Sequence, residues 1–185
     1  MKNEVHIIWL GSEYPYKEYK KSFEKNGYKV KLWTKGEGLI NQDIFDRMTT
    51  YAGKADVMRL ELLYKYGGLY TDADSRMIKP IKIDTDLICM RSHSGYIANE
   101  TIYAKKEHPA LKEAIYGLKE HIKSLPEEVN IWEIAGATYI TPIFRKYTHK
   151  VYTQEEIGIK HDYLASWAKG VRKSGKKPLN YWLCR

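Results

Sequence analysis

The chain has 185 residues and a net charge of +8, with 43% hydrophobic and 13% aromatic residues, which suffices for one folded domain and excludes a disordered polypeptide. No stretch approaches the roughly 18 apolar residues of a membrane span, no secretory leader is evident, and two cysteines, Cys89 and Cys184, exclude a disulfide framework or a zinc-type spacing. The expectation is a soluble, cytoplasmic protein whose basic balance favours anionic partners such as nucleotide diphosphates, nucleic acid or an acidic membrane surface.

Residues 5–10 form an apolar run closed by Gly11 and read as a buried first strand. Residues 16–25 carry helical spacing in Tyr16, Tyr19 and Phe23, with Asn26-Gly27 as the stop. Residues 28–33 alternate apolar side chains with lysines, as a half-buried strand does. Strand, helix and strand in this order predict an α/β unit with a parallel pair. A loop with a short helix is expected over 36–52. A helix follows over 54–66, rich in Leu, Met, Ala and Glu and stopped by Gly67-Gly68.

Further strands are expected at 69–71, 77–83 and 87–90, with Cys89 as a buried thiol. Residues 95–104 read as a strand pair or an irregular crossover. Pro109 suits the first turn of a helix over 109–123. Over 133–147 the signals are mixed, with Pro142 interrupting any single long helix. Short strands are expected at 151–152 and 157–160. No repeat or low-complexity linker divides the chain, so residues 1–168 read as one domain and 169–185 as a basic tail. The run Lys-Gly-Val-Arg-Lys-Ser-Gly-Lys-Lys at 169–177 is a solvated, mobile segment or a contact for an anionic surface.

Three features carry chemistry. Asp72-Ala73-Asp74 follows Gly67-Gly68-Leu69-Tyr70-Thr71. On a strand, positions i and i+2 share a face, and two carboxylates there repel unless a cation or strong donors compensate. The pair is either an acidic turn or a hard-oxygen site for a divalent cation that bridges a diphosphate. Asp56 and Arg59, at i and i+3, share a helix face. They are either an exposed ion pair worth under ~1 kcal/mol or a carboxylate and guanidinium serving sugar hydroxyls and phosphate. Trp9 ends the first strand, where open α/β sheets bind ligands; it either stacks on a nucleobase or packs in the core.

Residues 5–11 (Val-His-Ile-Ile-Trp-Leu-Gly) and 54–74, from Lys54-Ala55-Asp56 through Arg59 and Gly67-Gly68 to Asp72-Ala73-Asp74, resemble the DXD-containing sugar-transferase family. That family includes initiating mannosyltransferases, capsule and lipopolysaccharide transferases and the clostridial glucosylating toxin domains. The resemblance thins after residue 75. It persists in Asn99 to Pro109, like the family's Asn…Ala…His-Pro segment, and in His161 to Trp167, like its late His…Ser-Trp element. The chain departs from the family at Ala55, where Ser is usual, and at Gly136-Ala137, where Gly-Pro is usual.

The resemblance implies a GT-A fold, a Rossmann-like mixed sheet flanked by helices in a single small α/β domain. It implies that Trp9 stacks on the donor base, that Asp56, Arg59 and Tyr70 bind the donor, and that Asn99 lies beside the transferred sugar. Asp72 would contact ribose, sugar or metal, Asp74 would ligate Mn2+ or Mg2+ with His161 as a third ligand, and Ser166 and Trp167 would close over the diphosphate. Asp56, Arg59 and Asp72 are the implied catalytic residues. The implied reaction is metal-dependent transfer of a hexose, with retention, from a nucleotide-diphosphate sugar (a UDP- rather than a GDP-sugar) to a glycan or other hydroxyl acceptor in polysaccharide biosynthesis. The alternatives are a nucleic-acid or protein acceptor, or a non-catalytic nucleotide-sugar-binding module.

Overall fold

The computed structural model describes residues 4–92, 94–164 and 176–183. The chain opens with β1 (Glu4–Ile8), α1 (Lys17–Lys25) and β2 (Lys29–Trp33), and β1 pairs with β2 in parallel, as the alternation of elements predicts. Then come α2 (Gln42–Arg47), α3 (Tyr51–Tyr66) and β3 (Gly68–Thr71). β3 returns to the other side of β1, again in parallel. β4 (Ser75–Met77), β5 (Leu87–Arg91) and β6 (Ile97–Ala104) precede α4 (Pro109–Ser124).

The rest of the chain consists of short elements: β7 (Glu128–Val129), α5 (Ile131–Ile134), α6 (Ala137–Phe144), β8 (Lys150–Tyr152), α7 (Gln154–Ile157), β9 (Ile159–His161), β10 (Lys177–Pro178) and α8 (Leu179–Trp182). Six strands form a mixed sheet in the order β2-β1-β3-β6-β5-β8. β3–β6 and β6–β5 are antiparallel, and β5–β8 is parallel. β4 pairs with β9, and β7 with β10.

The sheet separates two cores. On one face α3, α4 and α6 bury Leu60, Leu63, Leu111, Ile115, Ile140 and Phe144. On the other, Phe23 of α1 packs with Val5, Ile7, Leu69, Ile88 and Ile159. Cys89 is buried, and burial pushes its thiol pKa up.

Helix α3 begins three residues earlier than its composition suggests, because Thr50 caps it by accepting from the Gly53 amide. It stops at Gly67, whose φ of 68° suits glycine and whose amide returns to the Leu63 carbonyl at 2.8 Å. A Cβ on Gly67 would lie 2.6 Å from the Lys106 backbone nitrogen. Gly67→Ala is therefore expected to destabilise the fold by more than the ~1 kcal/mol of an ordinary left-handed glycine replacement, read as a lower urea midpoint.

Several expectations over irregular segments need correction. Residues 77–83 are not a strand: β4 ends at Met77, and Ile78 and Ile83 are exposed, with Ile81 the buried anchor between them. Residues 95–104 contain one strand, β6, rather than a pair. The break within 133–147 falls at Gly136 and not at Pro142, which α6 accommodates near its end. A Cβ on Gly136 would sit 2.7 Å from Trp132 Cα, so glycine lets the chain turn tightly there. Ile157 ends α7 instead of starting a strand, and left-handed Gly158 leads into β9. Within 169–185, the described residues 176–183 pack back onto the domain. Lys177 pairs with Val129, and Trp182 is buried with its indole donating to the Val129 carbonyl.

Candidate active site

The chain leaves β1 for β2 on one side and returns as β3 on the other, so a crevice opens at the carboxyl ends of β1 and β3. A cleft of about 630 Å3 lies there, lined by Trp9 and Gly11 after β1, Tyr51 and Arg59 of α3, Tyr70, Asp72 and Asp74, and His161 and Tyr163. Trp9 is half-buried, packed against the core on one side while lining the cleft on the other. Its indole donates to the Ser12 carbonyl at 2.7 Å, and Tyr14 and Tyr16 meet the ring edge-on.

Arg59 is 4% exposed and organises the floor. It lies 2.7 Å from Asp56 and 3.3 Å from Asp72, donates to the carbonyls of Ala55 and Asn99, and sits over the Tyr70 ring. The exposed-pair reading of Asp56 and Arg59 is thus excluded. The Asn99 side-chain amide donates to Asp56 at 2.8 Å, and the Tyr70 hydroxyl donates to Asp72 at 2.6 Å. Burial pushes Asp56 up to about 6, against the pull of Arg59 and the Asn99 bond. Burial also acts to raise Asp72, but the Arg59 charge and donation from His161 and Tyr70 outweigh it, holding that carboxyl below the usual range. Arg59 stays charged, because its anionic neighbours outweigh its desolvation.

Asp72-Ala73-Asp74 is not on a strand: β3 ends at Thr71, and the three residues make the turn into β4. The acidic-turn reading is thus what the structure shows, and the turn's carboxylates are placed so that they could also hold a cation. The β4–β9 pairing sets Ser75 opposite His161, which carries the imidazole to the turn. His161 Nε2 is 3.0 Å from Asp74 and 3.6 Å from Asp72. Asp72, Asp74 and His161 each offer an atom within 4.8 Å of the others, a set with the donor chemistry and spacing of a divalent-cation site. Desolvation alone would lower the His161 pKa; bonds and charge from both carboxylates outweigh it and raise it to about 10. The Tyr163 amide lies 3.2 Å from Nδ1 and favours a lone pair there, so Nε2 keeps a proton whether the ring is neutral or charged.

Asn99 and Glu100 reach this region through an irregularity. Adjacent Cys89 and Met90 of β5 pair with Ile102 and Ala98 of β6, leaving Asn99, Glu100 and Thr101 without β5 partners. Such bulges re-aim side chains beside sites. Glu100, Gln154 and Tyr163 escaped the sequence reading. The Tyr163 hydroxyl accepts from Gln154 at 2.8 Å and faces Glu100 at 3.4 Å, and Gln154 accepts from the His161 amide. No spacing signals this brace, because its members lie on three separate elements. Burial, then the Asp72 charge, raises the Glu100 carboxyl. Ser166 and Trp167 lie outside the described residues.

The family described as the glycosyltransferase sugar-binding region containing a DXD motif matches residues 10–106. Human (Homo sapiens) alpha-1,4-N-acetylglucosaminyltransferase is 32% identical over 91 residues, covering 49% of this chain and 25% of that protein. Inositol phosphoceramide mannosyltransferase 1 of Schizosaccharomyces pombe is 28% identical over 137 residues, covering 67% of this chain and 43% of that protein. The chain thus spans less than half the length of either curated relative. Among solved structures, the PaToxG glycosyltransferase superposes with a TM-score of 0.61 at 18% identity, over 78% of this chain and 69% of that one. The shared fold is the GT-A-type arrangement of a Rossmann-like mixed sheet flanked by helices. Among the described residues no helix is long and apolar enough to cross a membrane.

Proposed function

The chain belongs to the family of glycosyltransferase sugar-binding regions containing the DXD motif, and from that premise we propose that it transfers a hexose from a nucleotide-diphosphate sugar to a hydroxyl acceptor. A UDP-sugar is the proposed donor, Mn2+ the proposed cation, a glycan the proposed acceptor class, and retention the proposed outcome. The carrying observation is the convergence of Asp72, Asp74 and His161 at one end of a cleft whose wall is Trp9. Mn2+ is preferred to Mg2+ because the donor set includes an imidazole beside its carboxylates, and Mg2+ favours oxygen alone.

Trp9, half-buried on the cleft wall, would take the base by ring stacking. Asp56 would accept from sugar hydroxyls; its position is held by Asn99 and Arg59, so it is preorganised for the task. Arg59 spends its donors on Asp56, Asp72 and two carbonyls, so its work is to hold the carboxylates and offset their charge. A bound cation would supply Lewis-acid stabilisation of charge gathering on the diphosphate. In the proposed front-face transfer the anomeric C–O bond to diphosphate breaks as the bond to acceptor oxygen forms on the same face. The acceptor proton passes to the departing phosphate oxygen.

Calorimetric titration of UDP- and GDP-sugars with and without Mn2+ tests the donor, and NMR of the product anomer tests retention. Binding that ignores Mn2+ would remove the cation from the reading.

A pH effect follows from His161. Its folded-state pKa of about 10 exceeds its ordinary 6.5, so without a cation its contribution to stability is complete below 6.5 and disappears as pH rises toward 10. A cation taking Nε2 must displace a proton. Mn2+ binding at pH 7 is expected to release about one proton, with affinity rising about tenfold per pH unit. Calorimetry in buffers of different ionisation enthalpy reads this directly; equal heats in all buffers would mean that no protonated imidazole is displaced.

A further inference from the structure

The segment between β1 and α1 holds a tyrosine that neither family motif nor proposed chemistry uses. Tyr14 is 7% exposed. Its ring meets Trp9 edge-on, with centroids 5.9 Å apart, and its hydroxyl donates to the Ala73 carbonyl at 3.1 Å. Ala73 is the middle residue of the Asp72–Asp74 turn, so one side chain joins the cleft wall to the cation turn.

The importance of that bond follows from how the turn's other backbone groups are tied. The Asp72 amide donates to the Glu100 carbonyl at 2.9 Å, and the Asp72 carbonyl accepts from the Ser75 amide at 3.1 Å. The Asp74 carbonyl accepts from the Asp162 amide at 3.1 Å, and the Asp74 carboxylate from the Leu164 amide at 2.8 Å. In all four the donor is a main-chain amide; three acceptors are main-chain carbonyls and the fourth is the Asp74 carboxylate itself. The Ala73 carbonyl is tied by a side chain. A three-residue turn has few ways to keep two like charges converged, and rotation of its central peptide would swing both carboxylates.

We infer that Tyr14 is a positioning residue: through its hydroxyl on the Ala73 carbonyl it holds the turn in the conformation in which Asp72, Asp74 and His161 converge. The inference rests on the proposed cation site. Its hydroxyl bonds the main chain of Ala73, between the two carboxylates, and it acts through that main chain. Supporting groups of this kind typically change metal affinity 10- to 100-fold when removed.

The test uses Tyr14→Phe in the whole chain, which keeps the buried ring and its contact with Trp9. Tyr139→Phe is the control. Tyr139 is also buried and donates its hydroxyl to an alanine carbonyl, Ala114, at 2.6 Å, but in the opposite core. Free Mn2+ is followed by electron paramagnetic resonance as MnCl2 alone is titrated, with thermal melts of each chain alongside. Both variants are expected to lose some thermal stability, and Tyr14→Phe alone to bind Mn2+ about tenfold more weakly. Unchanged Mn2+ affinity in folded Tyr14→Phe, or an equal loss in Tyr139→Phe, would overturn the assignment. No Mn2+ binding by the wild-type chain would overturn the cation reading itself and the Tyr14 role with it, an outcome distinct from a difference that fails to appear.

Discussion

Asp74→Asn is expected to abolish Mn2+-dependent release of nucleoside diphosphate while leaving the fold intact. The substitution keeps one oxygen able to accept from the Leu164 amide, so the turn retains that tie. What it removes is the negative charge nearest His161, at 3.0 Å, in a set of three donors. A neutral amide oxygen is a weaker ligand for a divalent cation than a carboxylate, and the remaining carboxylate, Asp72, is already engaged by Arg59 and Tyr70. A metal contributes several kcal/mol to a developing phosphate charge, so the expected loss in kcat is on the order of 10^3-fold. Two measurements decide the matter: the rate of UDP release with saturating Mn2+, and Mn2+ affinity by paramagnetic resonance. Activity within tenfold of wild type would dismiss Asp74 as a metal ligand.

The second large effect is on stability. The side chains of Arg59 and Asp56 are 5% and 10% exposed, and Arg59 also faces Asp72. Replacing Arg59 by Met strands the Asp56 carboxylate where water is largely excluded and removes one of the partners of Asp72, and breaking a buried pair from one side costs about 3–5 kcal/mol. For a chain of this size each kcal/mol lowers Tm by about 2–4 °C, so Arg59→Met is expected to lose roughly 6–20 °C. Adding Asp56→Asn removes that stranded charge and is expected to restore part of that loss, a coupling that a double-mutant cycle measures. Arg59→Lys is expected to fall short of wild type, because an ammonium cannot reproduce the guanidinium's simultaneous contacts. If Arg59→Met and Asp56→Asn losses simply added, the pair would be energetically independent and this account of the site floor would fail.

Local order along the chain was legible because it depends on neighbours in sequence. The apolar run before Trp9, the composition of α3 and the double glycine after it specify strand, helix and stop by side-chain period, helix propensity and a positive φ. Most of the site was legible for the same reason: Asp56 and Arg59 share one helix turn, and Asp72 and Asp74 share one turn of chain. Tertiary structure decided the rest. It set whether the Asp56–Arg59 pair is solvated or buried, because only packing on β3 and β6 removes its water. It brought His161 to Asp74 by pairing β4 with β9 across more than eighty residues of chain, which no local pattern encodes. It raised Asn99 and Glu100 on a bulge visible only in the register of β5 against β6. And it joined Tyr14 to Ala73 through a part-buried hydroxyl bond, a contact fixed by how α1 and its preceding segment settle on the sheet.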